Sequence, residues 1–572
     1  MADIRTRRFA MIDSTQRASG AASGDHVLRD DRNPMHVTVR VAPLHQLSHI
    51  MRLTVRVRRC VIVLHSCMRS FALVAMVLAV AAPRLRAQQA EPFPGLDAYV
   101  TRAMKMWKVP GVAIGIVRND SVIYTKGYGV RSIRSDAPVD AHTLFAIGSN
   151  TKSFTAAAIA MLVTEGKMSY DDPVTRYLPW FQLYDPWVTR EVTIRDVLAH
   201  RIGLGRQEAL WYGTALSRDE VLRQVRFLAP SFSFRAHFGY SNLMYIAAGQ
   251  AAAAAAGTTW DALVHDRIFV PLGMTGSNTS VRTLGGQADV ATPHMLDHDT
   301  LLTLPYRNID NVAPAGAINS NVADMTHWLR FQLADGVYDG KRLVGKEPFR
   351  EDHLPQTIIG GGWNPDAKEQ LSLSVAYGFG WAVTDYRRHT YWQHTGGIDG
   401  MLSMMALFPE QHFGIVILTN SQSANVTAPI AQWIADRELG ITPVRDWSEE
   451  MHGAALQGQA AEDSMQRANA AKRELHTTPS LPLASYAGTY SDSAYGDLAV
   501  TLKNGHLAMQ RGELVAQLTH WHHDVFQAEW ATRTLEPTFV TFVVGPENTV
   551  ETLTMDLLGD HMVLERKASV DH

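Results

Sequence analysis

Cysteine is almost missing from this chain of 572 residues: there are two, Cys60 and Cys67, and none after them. A disulfide scaffold, a cysteine nucleophile and a thiolate metal site are thereby excluded for everything that follows. Lysine is absent from the first 87 residues, which carry 14 arginines and five acidic side chains, whereas the remainder carries 39 basic and 51 acidic ones. An acidic main body argues against nucleic acid as a partner. The apolar run Phe71–Ala82 has 12 residues, too few for the roughly 20 that cross a bilayer.

That run follows Met68-Arg69-Ser70 and precedes Pro83 and Leu85-Arg86-Ala87. A short basic start, an apolar core and a small residue at the cut are the layout of a secretory signal. The expectation is a signal peptide over residues 68–87, with residues 1–67 an upstream over-read of the frame or a disordered extension. Leu85 three residues before the cut leaves the site of cleavage open. No cysteine follows the core, so a lipid anchor is not expected. The product is expected to be periplasmic or secreted, with no stable membrane anchor after cleavage.

What remains has the composition of an ordered globule, 46% hydrophobic and 19% charged, and is long enough for more than one domain. A helix is expected near Leu96–Lys105, then a hairpin from Gly111–Val117 through Asn119-Asp120 into Val122–Tyr124. Helical patterns dominate from Ser149 to about Leu333. Strands return at Tyr377–Thr384, Thr390–Gln393, Leu402–Phe408 and Gly414–Thr419, before a helix at Ala428–Glu438. This order predicts an α+β fold: an antiparallel sheet flanked by helices plus an all-helical lobe, with a cleft between them. A polar, alanine-rich linker is expected over residues 441–480, with at most one solvated helix. Beyond it, Gly488–Tyr490, Leu498–Leu502, Leu507–Gln510, Val525–Trp530, Phe539–Val544 and Thr552–Leu557 alternate with period two and predict a small β-barrel over residues 481–569.

Ser149 is the only serine that stands three residues before a lysine, Lys152, and it opens the apolar helical run Ser153–Val163. Residues three apart share a helical face with Cβ atoms roughly 5–6 Å apart, so the amine can reach the hydroxyl. A serine at a helix start also feels the positive end of the peptide dipole. A capping serine beside a solvated lysine would look the same. Two further motifs favour the chemical reading: Tyr240-Ser241-Asn242, and His394-Thr395-Gly396-Gly397 after the strand-like Thr390–Gln393.

In these three ordered motifs the chain resembles the serine β-lactamase and penicillin-binding-protein superfamily, in its class C-like peptidase and esterase branch. Leu198–Leu204, Pro271–Met274 and Pro314–Gly316 add to the likeness, which spans residues 93–440. The last domain resembles the lipocalin-like domain of some peptidase members. The resemblance implies Ser149 as the acylated nucleophile, Lys152 as its activator and Tyr240 as general base. A tyrosine pKa of about 10 allows that role only if cations such as Lys152 or a protonated His394 steady the phenolate, or if the proton moves in concert. It implies that Asn242 orients Lys152 and the substrate carbonyl side. It further implies that Ser149 and Gly397 offer backbone N–H groups to the oxyanion, and that Gly396 and Gly397 let the acyl group approach.

His394 stands where β-lactamases usually carry lysine. A histidine is mostly neutral at pH 7, which moves the expectation from β-lactamase towards a peptidase or esterase. Ile202 replaces the usual small hydroxyl residue in its stretch, a supporting position. His520, His522, His523 and Asp524 look like metal ligands, but zinc sites bring three or four supported ligands, and here they are expected to pack. No metal or cofactor is expected. The expected partner is a small-molecule or peptide substrate. The barrel either covers the cleft or joins copies of the chain into a homo-oligomer. A class C-like β-lactamase or D,D-carboxypeptidase, and an inactive binding protein or scaffold, are the alternatives.

Overall fold

The computed structural model describes residues 91–361, 372, 374–422, 425–443 and 445–568. The expected signal segment and both cysteines lie outside them.

Helix α1 (Leu96–Met106) leads into β1 (Gly111–Arg118), β2 (Ser121–Ser132) and β3 (Ser135–Pro138). After a helical excursion containing α2 (Thr151–Thr164), α3 (Asn242–Ala256) and α4 (Val322–Leu333), the chain returns through six strands. These are β4 (Thr357–Gly361), β5 (Ser374–Tyr377), β6 (Ala382–Tyr386), β7 (His389–Ile398), β8 (Met401–Phe408) and β9 (Phe413–Thr419). They form one sheet of nine strands in the order β4-β5-β6-β7-β8-β9-β1-β2-β3. Antiparallel pairing of β1 with β9 splices the first hairpin to the last strands.

Alternation along β1 explains how both faces are covered. Val112, Ile114 and Ile116 pack under α1 and the closing helix α5 (Thr427–Glu438). Ala113 and Val117 turn to the opposite core, shared with the helical lobe. At Gly115 a Cβ would come 2.8 Å from the Thr326 methyl of α4, so glycine there lets the helix lie directly on the strand. Helices α2 and α3 are apolar on nearly every side and buried accordingly.

The run expected as one strand over Tyr377–Thr384 is two, β5 and β6, separated by the turn Gly378–Trp381. Gly380 takes φ +77°, and a Cβ on it would strike the backbone of Lys152 and Ser153 at 2.6–2.7 Å. The chain breaks there to close on the start of α2.

The linker contains the 24-residue helix α6 (Trp447–Ala470), capped by Asp446 and exposed beyond Trp447 and Ser448. No helix among the described residues is long and apolar enough to cross a membrane. The closed barrel has eight strands in consecutive order, from Gly488–Asp492 to Asp560–Arg566. Two of them, Leu514–His522 and Asp560–Arg566, were not among the six expected. Tyr486, Tyr490, Phe526 and Phe542 fill the interior, with ring centroids 5.1–5.7 Å apart. His520 and His523 turn their ring nitrogens to the His523 carbonyl and to Glu474, and among the described residues no cluster could hold a metal.

Candidate active site

Ser149 lies in the tight turn Gly148–Asn150 that feeds into α2. The turn is anchored from both sides. Asn150 Nδ2 donates to Ser403 Oγ at 2.7 Å, and that hydroxyl donates to the Ile147 carbonyl at 2.7 Å. Gly148 has φ +51°, and a Cβ on it would stand 2.7 Å from the Gly397 nitrogen. The serine-bearing turn and the third motif on β7 are thus in direct contact. Gly396 is tighter still: a Cβ would be 1.9 Å from the Ile147 carbonyl oxygen. Its missing side chain makes room for the chain's own turn, not for a ligand as expected. Gly397 is exposed, with only Leu402 within reach of a Cβ, at 3.2 Å. Thr395, which precedes them, is exposed.

Lys152 is fully buried, at 0% exposure. Its Nζ lies 3.0 Å from Ser149 Oγ, 2.6 Å from Asn242 Oδ1 and 2.8 Å from the Ala315 carbonyl. Burial holds the amine well below its ordinary pKa; Glu208 opposes the fall and Arg206 adds to it.

Tyr240 precedes α3 and is half-buried, its ring centre 4.8 Å from the Lys152 amine and 6.4 Å from the His394 ring. Burial pushes its phenol up, while the Ser149 hydroxyl and Arg206 pull the other way. Arg206 is exposed and lies 4.7 Å over the same ring. The Ser241 N–H donates to His200 Nδ1 at 3.1 Å, which fixes the buried His200 ring between Tyr240 and Tyr377.

His394 is buried. Its Nδ1 lies 2.6 Å from the Thr395 carbonyl, an obligate acceptor, and its Nε2 lies 3.0 Å from the Tyr377 hydroxyl. Nδ1 therefore donates to the carbonyl, and the Tyr377 hydroxyl can donate to Nε2, which suits a neutral ring. Burial brings its pKa down to about 3. This is the neutral histidine that the sequence suggested, and it leaves no imidazolium to steady a Tyr240 phenolate.

The serine, amine, phenol, amide and glycine-rich strand of the three motifs thus meet at one place. Glu208, Arg206 and Tyr377 join them without having been singled out from the sequence. Glu208 and Arg206 follow closely on the family-like stretch Leu198–Leu204, which was the nearest available signal.

An antiparallel sheet with a helical lobe, and a half-exposed serine beside a buried amine where they meet, define a serine hydrolase. The chain belongs to the Beta-lactamase family, whose match covers residues 96–437. Residues 472–567 match a second family, described as a domain of unknown function (DUF3471). A relative named unguisins hydrolase ungD, from Aspergillus violaceofuscus, is 29% identical over 435 residues, spanning 70% of this chain and 75% of the relative. Protein flp of Staphylococcus aureus is 25% identical over 335 residues, spanning 58% and 64%. The octameric penicillin-binding protein homologue from Pyrococcus abyssi shares the fold, with a TM-score of 0.56 and 19% identity over 83% of this chain and 100% of its own.

Proposed function

We propose that this serine hydrolase is exported and opens an amide or ester bond, in a peptide, D-amino-acid derivative or short ester, through an acyl-enzyme on Ser149. The observation that carries the reading is the set of partners around Lys152 Nζ. Two are carbonyl oxygens, of Asn242 and Ala315, and can only accept. An uncharged amine spends its two N–H bonds on them and has its lone pair left for the third partner, the Ser149 hydroxyl. Burial favours that uncharged form. Lys152 then takes the Ser149 proton as Oγ attacks the substrate carbonyl carbon.

The oxyanion so formed would be received by backbone N–H groups of Ser149 and Gly397. Tyr240, kept protonated by burial, gives its proton to the leaving nitrogen or oxygen as the carbonyl bond breaks, and recovers one from the Lys152 ammonium. This assigns the base to Lys152 and the relay to Tyr240, in place of the Tyr240 base expected from sequence. Water then attacks the acyl-enzyme by the same relay in reverse and frees Ser149. A neutral His394 offers no fixed charge to a substrate carboxylate, which favours peptidase or esterase activity over β-lactamase or D,D-carboxypeptidase activity. Export rests on the segment 68–87 and is supported if the mature chain recovered from the periplasm or medium begins near Gln88.

The test is labelling of the purified chain by a fluorophosphonate, with Ser149→Ala as control, alongside a panel of D- and L-aminoacyl amides, p-nitrophenyl esters and nitrocefin. Labelling lost in Ser149→Ala, with turnover of amides or esters, supports the reading. A folded protein that is neither labelled nor active refutes it, and nitrocefin turnover matching the esters replaces it with a β-lactamase.

A further inference from the structure

Glu208 is the one carboxylate among the described residues that touches the candidate catalytic cluster. Its side chain is 12% exposed and accepts from Asn242 Nδ2 at 3.0 and 3.2 Å, one contact to each oxygen, and from Arg206 Nη1 at 3.2 Å. Burial pushes its pKa up, while the Arg206 charge and the Asn242 bond hold it down. A carboxylate has no hydrogen to give. It therefore decides which end of the Asn242 amide faces it: the NH₂ group turns to Glu208 and the oxygen turns to Lys152, where it lies 2.6 Å from Nζ.

The short helical turn that carries Glu208 does not stand alone, because the barrel grips it. The Ala209 N–H donates to Asp560 Oδ2 at 2.8 Å, and the Glu513 N–H donates to the Gly213 carbonyl at 2.8 Å. Between them, the Tyr212 and Thr534 hydroxyls are 3.0 Å apart. These three contacts join the segment 209–213 to three separate parts of the barrel.

We propose that Glu208 is a positioning residue for acylation: held by the barrel, it locks the Asn242 amide with its oxygen on Lys152 and so reserves the amine's lone pair for the Ser149 hydroxyl. This rests on the reading of Lys152 as the base. A neutral side chain of the same shape at position 208 can itself donate. It releases Asn242 to turn its NH₂ group to Lys152, and the lone pair is then taken up by the wrong partner. The negative charge of Glu208 also favours the protonated amine. The other titratable or charged groups facing Lys152 are Arg206 and His200 from the loops, Tyr240 and Tyr245 at α3, and His394 on β7.

The experiment measures kcat, KM and fluorophosphonate labelling rate against pH for the full chain and for Glu208→Gln, Glu208→Asp and Asp560→Ala. Glu208→Gln should lower kcat and labelling about 10- to 100-fold with KM within about twofold, and shift the acid limb of the profile to lower pH. Glu208→Asp, which keeps the acceptor, should hold the limb at the wild-type position. Asp560→Ala should lower kcat in the same direction as Glu208→Gln, and wild-type kcat in it removes the barrel from the proposal. Wild-type kcat in Glu208→Gln, or a loss with the limb unmoved, overturns the positioning role. Should Glu208→Gln fail to fold, a displaced limb in Glu208→Asp overturns it equally. An unlabelled wild-type chain would instead refute the acyl-enzyme reading itself.

Discussion

At the scale of single residues, the proposed reaction turns on the state of one amine. If Lys152 acts by accepting a proton, a side chain that keeps the charge but can never lose it must fail. Arginine is such a side chain. Lys152→Arg is expected to cut kcat/KM about 10²- to 10⁴-fold, the usual worth of a positioned acid–base group; near wild-type activity would show that only the charge matters. The pH profile carries the same information. A pKa held below its ordinary value keeps the amine neutral, and thus active as a base, at pH values where a free lysine is still protonated. Activity should therefore rise from the acid side and level off well below pH 10, as initial rates across pH will show. Ser149 and Lys152 were legible in the sequence because their spacing lets the amine reach the hydroxyl and two later motifs favoured the chemical reading. His394 was legible as a histidine with little charge, but its near-complete neutrality comes from burial and from the nearby Lys152, neither of which its neighbours in sequence reveal. Glu208 was not legible: it sits in a single short helical turn, 34 positions from the Asn242 it holds, where no periodicity points to a partner.

At the scale of elements, strand β7 does two things at once. It lies between β6 and β8 in the sheet, and its glycines receive the serine-bearing turn. Alternation and turn residues made the central strands and the bracketing helices readable to within a few positions. What they could not reveal was contact across the fold. The break at Gly378–Trp381 exists because Gly380 must clear the start of α2. The barrel strand Leu514–His522 has a clean alternation in its first residues, yet its histidine-rich end reads more readily as a ligand cluster than as a strand. The strand Asp560–Arg566 is short and follows a tight turn at Leu558-Gly559, with charged residues at both ends. At Gly396 the close contact is with backbone, which cannot swing aside as a flexible side chain can. Gly396→Ala would drive a methyl into the Ile147 carbonyl and the Ser403 hydroxyl, 1.9 and 2.6 Å away. Either β7 or the Ser149 turn must move. Overpacking of this kind costs about 1–3 kcal/mol or more, so a lower Tm is expected together with loss of labelling at Ser149. A variant with wild-type Tm and labelling would mean that the turn and the strand are not held as tightly as their contact implies.

At the scale of the whole molecule, the barrel is continuous with the catalytic domain: its apolar interior belongs to the same buried cluster as the helical lobe. The seam between them holds a buried acid. Asp560 is 6% exposed, and burial, with the Glu208 charge adding to it, raises its pKa to about 6 against the Ala209 N–H and Arg511, which lower it. For an acid whose folded pKa lies above its unfolded value of 3.8, the folded state binds the extra proton. The group's contribution to stability is then complete below about pH 4 and is lost as pH rises through 6. Above that, the ionised carboxylate costs the folded state up to about 3 kcal/mol. Asparagine keeps an oxygen for the Ala209 N–H and cannot ionise. Asp560→Asn should therefore leave the seam intact and stabilise the chain at pH 8, by a margin that shrinks through pH 6 and disappears near pH 4. Calorimetric or denaturant unfolding of both proteins across this range checks it. A gain independent of pH would mean that the carboxylate stays ionised at the seam, paired with Arg511, and that burial does not govern its protonation.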